Sequence, residues 1–400
     1  MNLPRPRSQA VLLLPLLLAA AALPASATQT ARVVPLTDIP AASVIALGDL
    51  NGDGLADLAL VDAPPTKPST PSSTFRLHLF FQKNGTFSMP ADRVLILGSN
   101  VPSGLVIGDF DRDGRNDLAV GIRQERSILL FFGTENFQTE HRSKYGNDTG
   151  AAGLSAGRIS PSGLADFLTG AAWRQWRGDD RFGEAYFAGP ELNDNWHSTL
   201  ADMDRNGSDD VIFTTFWSGP SRTYGNNRIR ICYGPFFKMQ IVAPTDAAQV
   251  ITLDSPFAGD SRPILGPVQV GDLNGDDQND LVVAAAGQTL VYFQNSPTGF
   301  TENSLPTLTV PNFTPLLVKD LDGDNLCDIA LLPADRSGIV LWHQRKDAPL
   351  TAHSFSQAPL VVIPKLTGVT TSGDLDCDGR REIVAALAGG GLAILYPERL

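Results

Sequence analysis

The chain has 400 residues and a formal charge of -12. That acidity argues against a general affinity for nucleic acid or for an anionic membrane surface. The three cysteines, Cys232, Cys327 and Cys377, exclude a disulfide scaffold. One pair at most could form, and the sequence does not say which.

In chain order, Arg5 and Arg7 come first, then an apolar run from Val11 to Leu23, then Ala25-Ser26-Ala27. This order reads as a secretory signal peptide over residues 1–27, with a mature chain from about Thr28. The apolar run is too short for a membrane span, and no later segment reaches the ~18 apolar residues a span needs. No Cys follows the run to take a lipid anchor. The expected product has no membrane span and is secreted, periplasmic or at the cell surface. Loss of Arg5 and Arg7 would take the charge from -12 to -14.

A nine-residue acidic motif then recurs. Clear copies begin at Asp49 (DLNGDGLAD), Asp109 (DFDRDGRND), Asp202 (DMDRNGSDD), Asp272 (DLNGDDQND), Asp320 (DLDGDNLCD) and Asp374 (DLDCDGRRE). A degenerate copy begins at Arg158, where Ala156 to Gly170 aligns with Ile107 to Gly121. There Arg158, Ser160 and Ser162 stand at places one, three and five, and only Asp166 keeps its carboxylate. The starts are 60, 49, 44, 70, 48 and 54 residues apart. An apolar or β-branched run enters each motif, as in Val44 to Leu47, and another leaves it, as in Leu281 to Val283. A third follows, such as Thr289 to Phe293 or Gly338 to Trp342. Often there is a fourth, such as Arg93 to Leu97 or Pro359 to Ile363. Four short strands per ~50-residue unit, seven times over, predict a seven-bladed all-β propeller of four-stranded blades over residues 28–400. The last unit lacks a fourth strand, and Ala31 to Leu36 precedes the first unit without a partner. That N-terminal strand is expected to complete blade seven and leave no open edge.

Side-chain oxygens at places one, three, five and nine, with a backbone carbonyl at place seven, make a cage for a hard cation. Calcium takes six to eight oxygens in irregular geometry and fits better than magnesium. Place six needs a left-handed backbone. It is Gly in four loops and Asp277 or Asn325 in the other two. The loop is not an EF-hand, because place twelve (Leu60, Val120, Val283) is apolar and already in a strand. The cages hold 21 acidic side chains, and six calcium ions would take -14 to about -2. None of the five His stands at a metal-ligand spacing.

These motifs resemble the FG-GAP or VCBS repeat, found in the β-propeller of integrin α-subunits and in many exported bacterial proteins. The resemblance implies calcium in the hairpin between a blade's first two strands, with partners often on the opposite face. By position, the ligands of blade one would be Asp49, Asn51, Asp53, Leu55 (carbonyl) and Asp57. Those of blade two would be Asp109, Asp111, Asp113, Arg115 (carbonyl) and Asp117. Blade four offers Asp202, Asp204, Asn206, Ser208 (carbonyl) and Asp210, and blade five Asp272, Asn274, Asp276, Gln278 (carbonyl) and Asp280. Blade six offers Asp320, Asp322, Asp324, Leu326 (carbonyl) and Asp328, and blade seven Asp374, Asp376, Asp378, Arg380 (carbonyl) and Glu382. No metal is expected in blade three.

No catalytic constellation stands out. Gly153 to Gly157 (GLSAG) matches a nucleophile elbow but leads into a hairpin rather than a helix. Arg177 to Asp179 (RGD) and the Pro/Ser-rich Pro64 to Ser73 read as solvated loops. Four of the five Trp cluster in one window: Trp173, Trp176, Trp196 and Trp217, with Tyr186 and Tyr224 among them. Trp173, Trp176, Tyr186 and Trp217 could face a sugar or protein partner, or pack between blades. The leading expectation is a non-catalytic, calcium-binding module for an extracellular protein or polysaccharide. The alternative is an extracellular polysaccharide lyase or hydrolase, for which Arg174, Arg177 and Tyr186 are the nearest candidates.

Overall fold

A computed structural model describes residues 31–397 apart from 64–73, 123–126, 139, 144–152, 162–163, 170–171, 179–181, 187–195, 216–227, 237–248, 253–264, 286, 295–298, 301–305, 345–354 and 358–359. The expected signal peptide and the Pro/Ser-rich loop lie outside the described residues. Every described element is a strand or turn, and the strands form seven antiparallel sheets. Among the described residues, no helix is long and apolar enough to cross a membrane.

Each motif turns a hairpin between a blade's first and second strands. The first strands are Ala42–Gly48, Pro102–Gly108, Ser155–Gly157, Trp196–Ala201, Leu265–Gly271, Phe313–Lys319 and Leu366–Gly373. Each touches the first strands of the two neighbouring blades, so together they form the inner ring of the propeller. Each second strand starts on the ninth residue of its motif: Asp57, Asp117, Asp166, Asp210, Asp280, Asp328 or Glu382. The Gly153 to Gly157 stretch supplies the first strand of blade three and pairs with Asp166–Thr169, as its hairpin setting required.

Packing explains why the second strands are apolar on both faces. Leu58 and Leu60 face blade seven, beside Val384, Ala386 and Ile394. Ala59 and Val61 face blade two, beside Leu118, Val120 and Leu129. The other five apolar clusters repeat this arrangement at the remaining blade junctions. A strand buried on both sides contributes ~1.5–3 kcal/mol per large apolar side chain, so the core is a ring of seven interfaces.

Ala31–Leu36 pairs with Leu392–Pro397 and completes blade seven, as expected. Blade six departs in one detail. Its outer position is shared between Phe355–Gln357 and the two-residue strand Val361–Val362, both paired with Gly338–Gln344. None of the three cysteines forms a disulfide.

Candidate metal centres

The six acidic loops share one conformation. Place six has positive φ in all of them: Gly54 (83°), Gly114 (87°), Gly207 (84°), Asp277 (65°), Asn325 (69°) and Gly379 (87°). Place four does too, a requirement the motif alone does not reveal. There the residues are Gly52 (81°), Arg112 (65°), Arg205 (63°), Gly275 (75°), Gly323 (80°) and Cys377 (60°). Arg112, Arg205 and Cys377 therefore carry the left-handed penalty, about 1 kcal/mol each. Cys377→Gly is expected to stabilise the protein by roughly 0.5–1 kcal/mol after the entropy of an added Gly is subtracted. A rise in the urea midpoint at unchanged slope would verify it.

The first carboxylate of each loop organises the turn. In blade one, Asp49 Oδ1 accepts from the Gly52 amide at 2.6 Å and Oδ2 from the Gly54 amide at 2.9 Å. Asp109, Asp202, Asp272, Asp320 and Asp374 likewise accept the place-six amide at 2.8–3.0 Å. The fifth side chain accepts from the place-seven amide, as Asp53 does from Leu55 and Asn206 does from Ser208.

The ninth residue staples the blade. Asp57 Oδ2 accepts from the Leu50 amide at 2.9 Å, and its Oδ1 accepts from the Gln82 amide beyond the third strand at 2.8 Å. Asp117, Asp210, Asp280 and Asp328 make the same pair of bonds. Burial pushes Asp57 and Asp210 up to about 6, Asp117 and Glu382 to about 7, and Asp280 to about 8, and neighbouring carboxylates push the same way. A group of this kind, raised in the folded state, holds protons there that the unfolded chain releases above ~pH 4. Metal-free protein should therefore lose stability as pH rises from about 4 through 8, the opposite of the usual paired carboxylate. Melts of dialysed, metal-free protein are expected at higher temperature at pH 5 than at pH 8. A flat or inverted profile would contradict this.

These groups fit a divalent cation. Three acidic oxygens lie within 4.8 Å of one another in blade two (Asp109, Asp111, Asp117), blade four (Asp202, Asp204, Asp210), blade six (Asp320, Asp322, Asp324) and blade seven (Asp374, Asp376, Glu382). In blades one and five the third place is Asn51 or Asn274, which supplies an amide oxygen. In blade seven Arg380 donates to Asp378 and to the Pro397 carbonyl, so this loop carries an internal cation beside its fifth place.

Blade three satisfies its surviving acid another way. Asp166 Oδ2 accepts from the Ser160 amide at 2.7 Å and the Ser160 hydroxyl at 2.8 Å, and Oδ1 accepts from Trp173 Nε1 at 2.9 Å. Neutral donors thus surround the one carboxylate, where the other loops gather several carboxylates. Trp173 and Trp176 are 1% and 4% exposed and pack into the junctions with blades four and two. Of the two readings the sequence left open for Trp173 and Trp176, packing between blades is the one the burial supports, and a partner-facing role for these two is corrected. Tyr186 ends the outer strand of that blade, its side chain outside the described residues, as are Trp217 and Tyr224. Arg174 is also buried and donates to Thr169 Oγ1, so it does not converge with Arg177 on an open site.

The loops are linked around the ring. Asn116 Nδ2 of blade two donates to the Asp49 carbonyl at 2.7 Å, and Asn279 Nδ2 of blade five to the Asp202 carbonyl at 2.8 Å. The Cys327 amide likewise reaches the Asp272 carbonyl at 3.0 Å.

One residue escaped sequence reasoning. His343, 2% exposed, lies against the blade-six cage, with Nδ1 3.4 Å from Asp328 Oδ2 and 3.7 Å from Asp322 Oδ2. His343 reaches the cage although none of the five His stands at a metal-ligand spacing along the chain. The third strand carries His343 to the loop, and the two are too far apart in sequence to form a motif.

Seven blades, a ring of first strands and six acidic hairpins at one end of that ring define a seven-bladed β-propeller. Within it, residues 49–120, the first two motifs and the strands between, match the FG-GAP-like repeat. It is 30% identical to human integrin alpha-IIb over 148 residues, covering 32% of this chain and 14% of that protein. It is 29% identical to Drosophila melanogaster integrin alpha-PS3 over 144 residues, covering 31% and 12%. The matched region is thus a small part of either relative's length. Solved structures with the same fold include Saccharomyces cerevisiae Sqt1 (TM-score 0.54, 10% identity, 92% of this chain and 98% of that one). Another is an Agrocybe aegerita lectin (TM-score 0.50, 14% identity, 89% and 86%).

Proposed function

We propose that the chain is an exported, calcium-stabilised propeller that serves as a non-catalytic binding module for an extracellular protein or polysaccharide. Calcium occupies the oxygen cages of the acidic loops, and blade three takes none. Residues 1–27 act as the signal peptide, and cleavage near Ala27 releases the propeller.

The observation that carries this reading is the contrast between loops. Where the carboxylates are present they converge without enough donors to neutralise them. Where they are absent, as in blade three, Ser160, Trp173 and Gln175 supply neutral donors to Asp166 instead. A cation is the missing partner in the first case and has no role in the second. Similarity to integrin α-subunits favours a binding role over a catalytic one.

The test is binding of the mature protein to glycan arrays and to intact cell surfaces, in calcium and after its removal. Saturable retention that needs calcium is the expected result. Turnover of a polysaccharide, with no retention on any surface, would overturn the non-catalytic reading.

A further inference from the structure

The second strands and third strands of the blades are in matching register, so one position can be compared around the ring. Continued one residue past its last pair toward the loop, the ladder sets the ninth-place acid against Phe81, Phe132, Tyr233, Phe293 and Tyr396 in blades one, two, four, five and seven. The opposite residue is Gln175 in blade three and His343 in blade six. Five blades therefore carry an aromatic residue opposite the ninth-place acid, and blade six carries a base there. Asp322, Asp328 and His343 bring their ligand atoms within 4.8 Å of one another. Nδ1 is buried without a hydrogen bond of proper geometry, although the ring is 2% exposed. It points between the two carboxylates, at 3.4 and 3.7 Å. Two donors each about 2.1 Å from one ion at the tetrahedral angle stand about 3.4 Å apart. Calcium prefers hard oxygens, whereas imidazole nitrogen suits zinc and the first-row transition metals.

We infer that blade six holds a zinc-class divalent ion on His343 Nδ1, Asp322 and Asp328, and so differs from the oxygen-only cages of the other blades. A neutral imidazole supplies its lone pair, the two carboxylates supply charge, and water completes the coordination. This assignment uses the same loop architecture as the calcium reading but does not need calcium in any other blade.

The experiment is equilibrium dialysis of the metal-free protein against zinc in a large excess of calcium, with both metals measured in the retained protein. His343→Phe recreates the ring found in blades two and five, and Asp322→Asn removes a second ligand without touching the blade junction. Far-UV circular dichroism establishes that both variants fold. Wild-type protein is expected to retain one zinc ion per chain against calcium, and each variant should bind it at least about tenfold more weakly. Cobalt in place of zinc should give visible absorption bands that His343→Phe shifts or abolishes. Displacement of zinc from the wild type by calcium would overturn the proposal. So would zinc uptake by His343→Phe equal to that of wild type. Zinc retained with no calcium bound anywhere would instead refute the calcium reading and leave this one standing.

Discussion

Removing bound calcium is expected to lower the melting temperature by roughly 15–20 °C. Each cage filled at a hundred times its Kd stabilises the folded state by ~2.7 kcal/mol, because the unfolded loop has no such site. Five oxygen-only cages then contribute ~13 kcal/mol. For a chain of this size one kcal/mol moves the midpoint by about 1–1.5 °C. The effect is large because the loops do more than decorate the blades. Each one ends on the residue that begins a fully buried second strand, and neighbouring loops are bonded through Asn116, Asn279 and Cys327. Without the cation, two or three like charges among places one, three and five repel in each of the six acidic loops. Differential scanning calorimetry in calcium and after exhaustive chelation measures the difference. An unchanged midpoint would mean that the loops hold themselves together through Asp49-type turns and that calcium is irrelevant to the fold.

The second large effect separates the ninth place from the rest of the cage. Asp280→Ala is expected to cost about 2–5 kcal/mol even without calcium, and more with it. Asp280 is 0% exposed, and its two oxygens accept from the Leu273 and Gln294 amides, both at 2.8 Å. Truncation leaves two buried donors unpaired at ~1–3 kcal/mol each. Asp276→Asn, in the same loop, should behave differently. Its oxygen still accepts from the Gln278 amide, a 2.8 Å bond in the parent, so metal-free stability should hardly change. Only the calcium-dependent part should fall, by roughly 1–3 kcal/mol. Denaturant titrations of both variants in calcium and in chelator distinguish the roles. If Asp276→Asn were equally destabilised in chelator, the fifth place would be a structural staple and not a cation ligand.

Most of the fold was legible because its signals are local and repeated. The motif spacing marked seven units, and the alternation of apolar runs with Gly, Asn and Asp marked the strands. The missing fourth strand of the last unit pointed to Ala31–Leu36, which pairs there as expected. The carboxylates at places one, three, five and nine were equally visible, since one tight turn brings them together. Less was legible where the partner lies in another strand. Left-handed geometry at place four was hidden because Arg112, Arg205 and Cys377 occupy it beside Gly52, Gly275 and Gly323, so no single residue type flags it. Whether Trp173 and Trp176 face a partner or pack between blades stayed open, because composition cannot report which face of a strand turns inward.

By itself, then, the sequence determined blade number, closure, and the position and charge of the acidic loops, because each depends on residues within one period or on the count of periods. The tertiary structure alone decided three things: that the ninth acid is a two-sided staple, that Ser160, Trp173 and Gln175 replace charge around Asp166, and that His343 stands over Asp322 and Asp328. Each is a contact between strands joined by loops of variable length, so it is set by register across the sheet and not by distance along the chain.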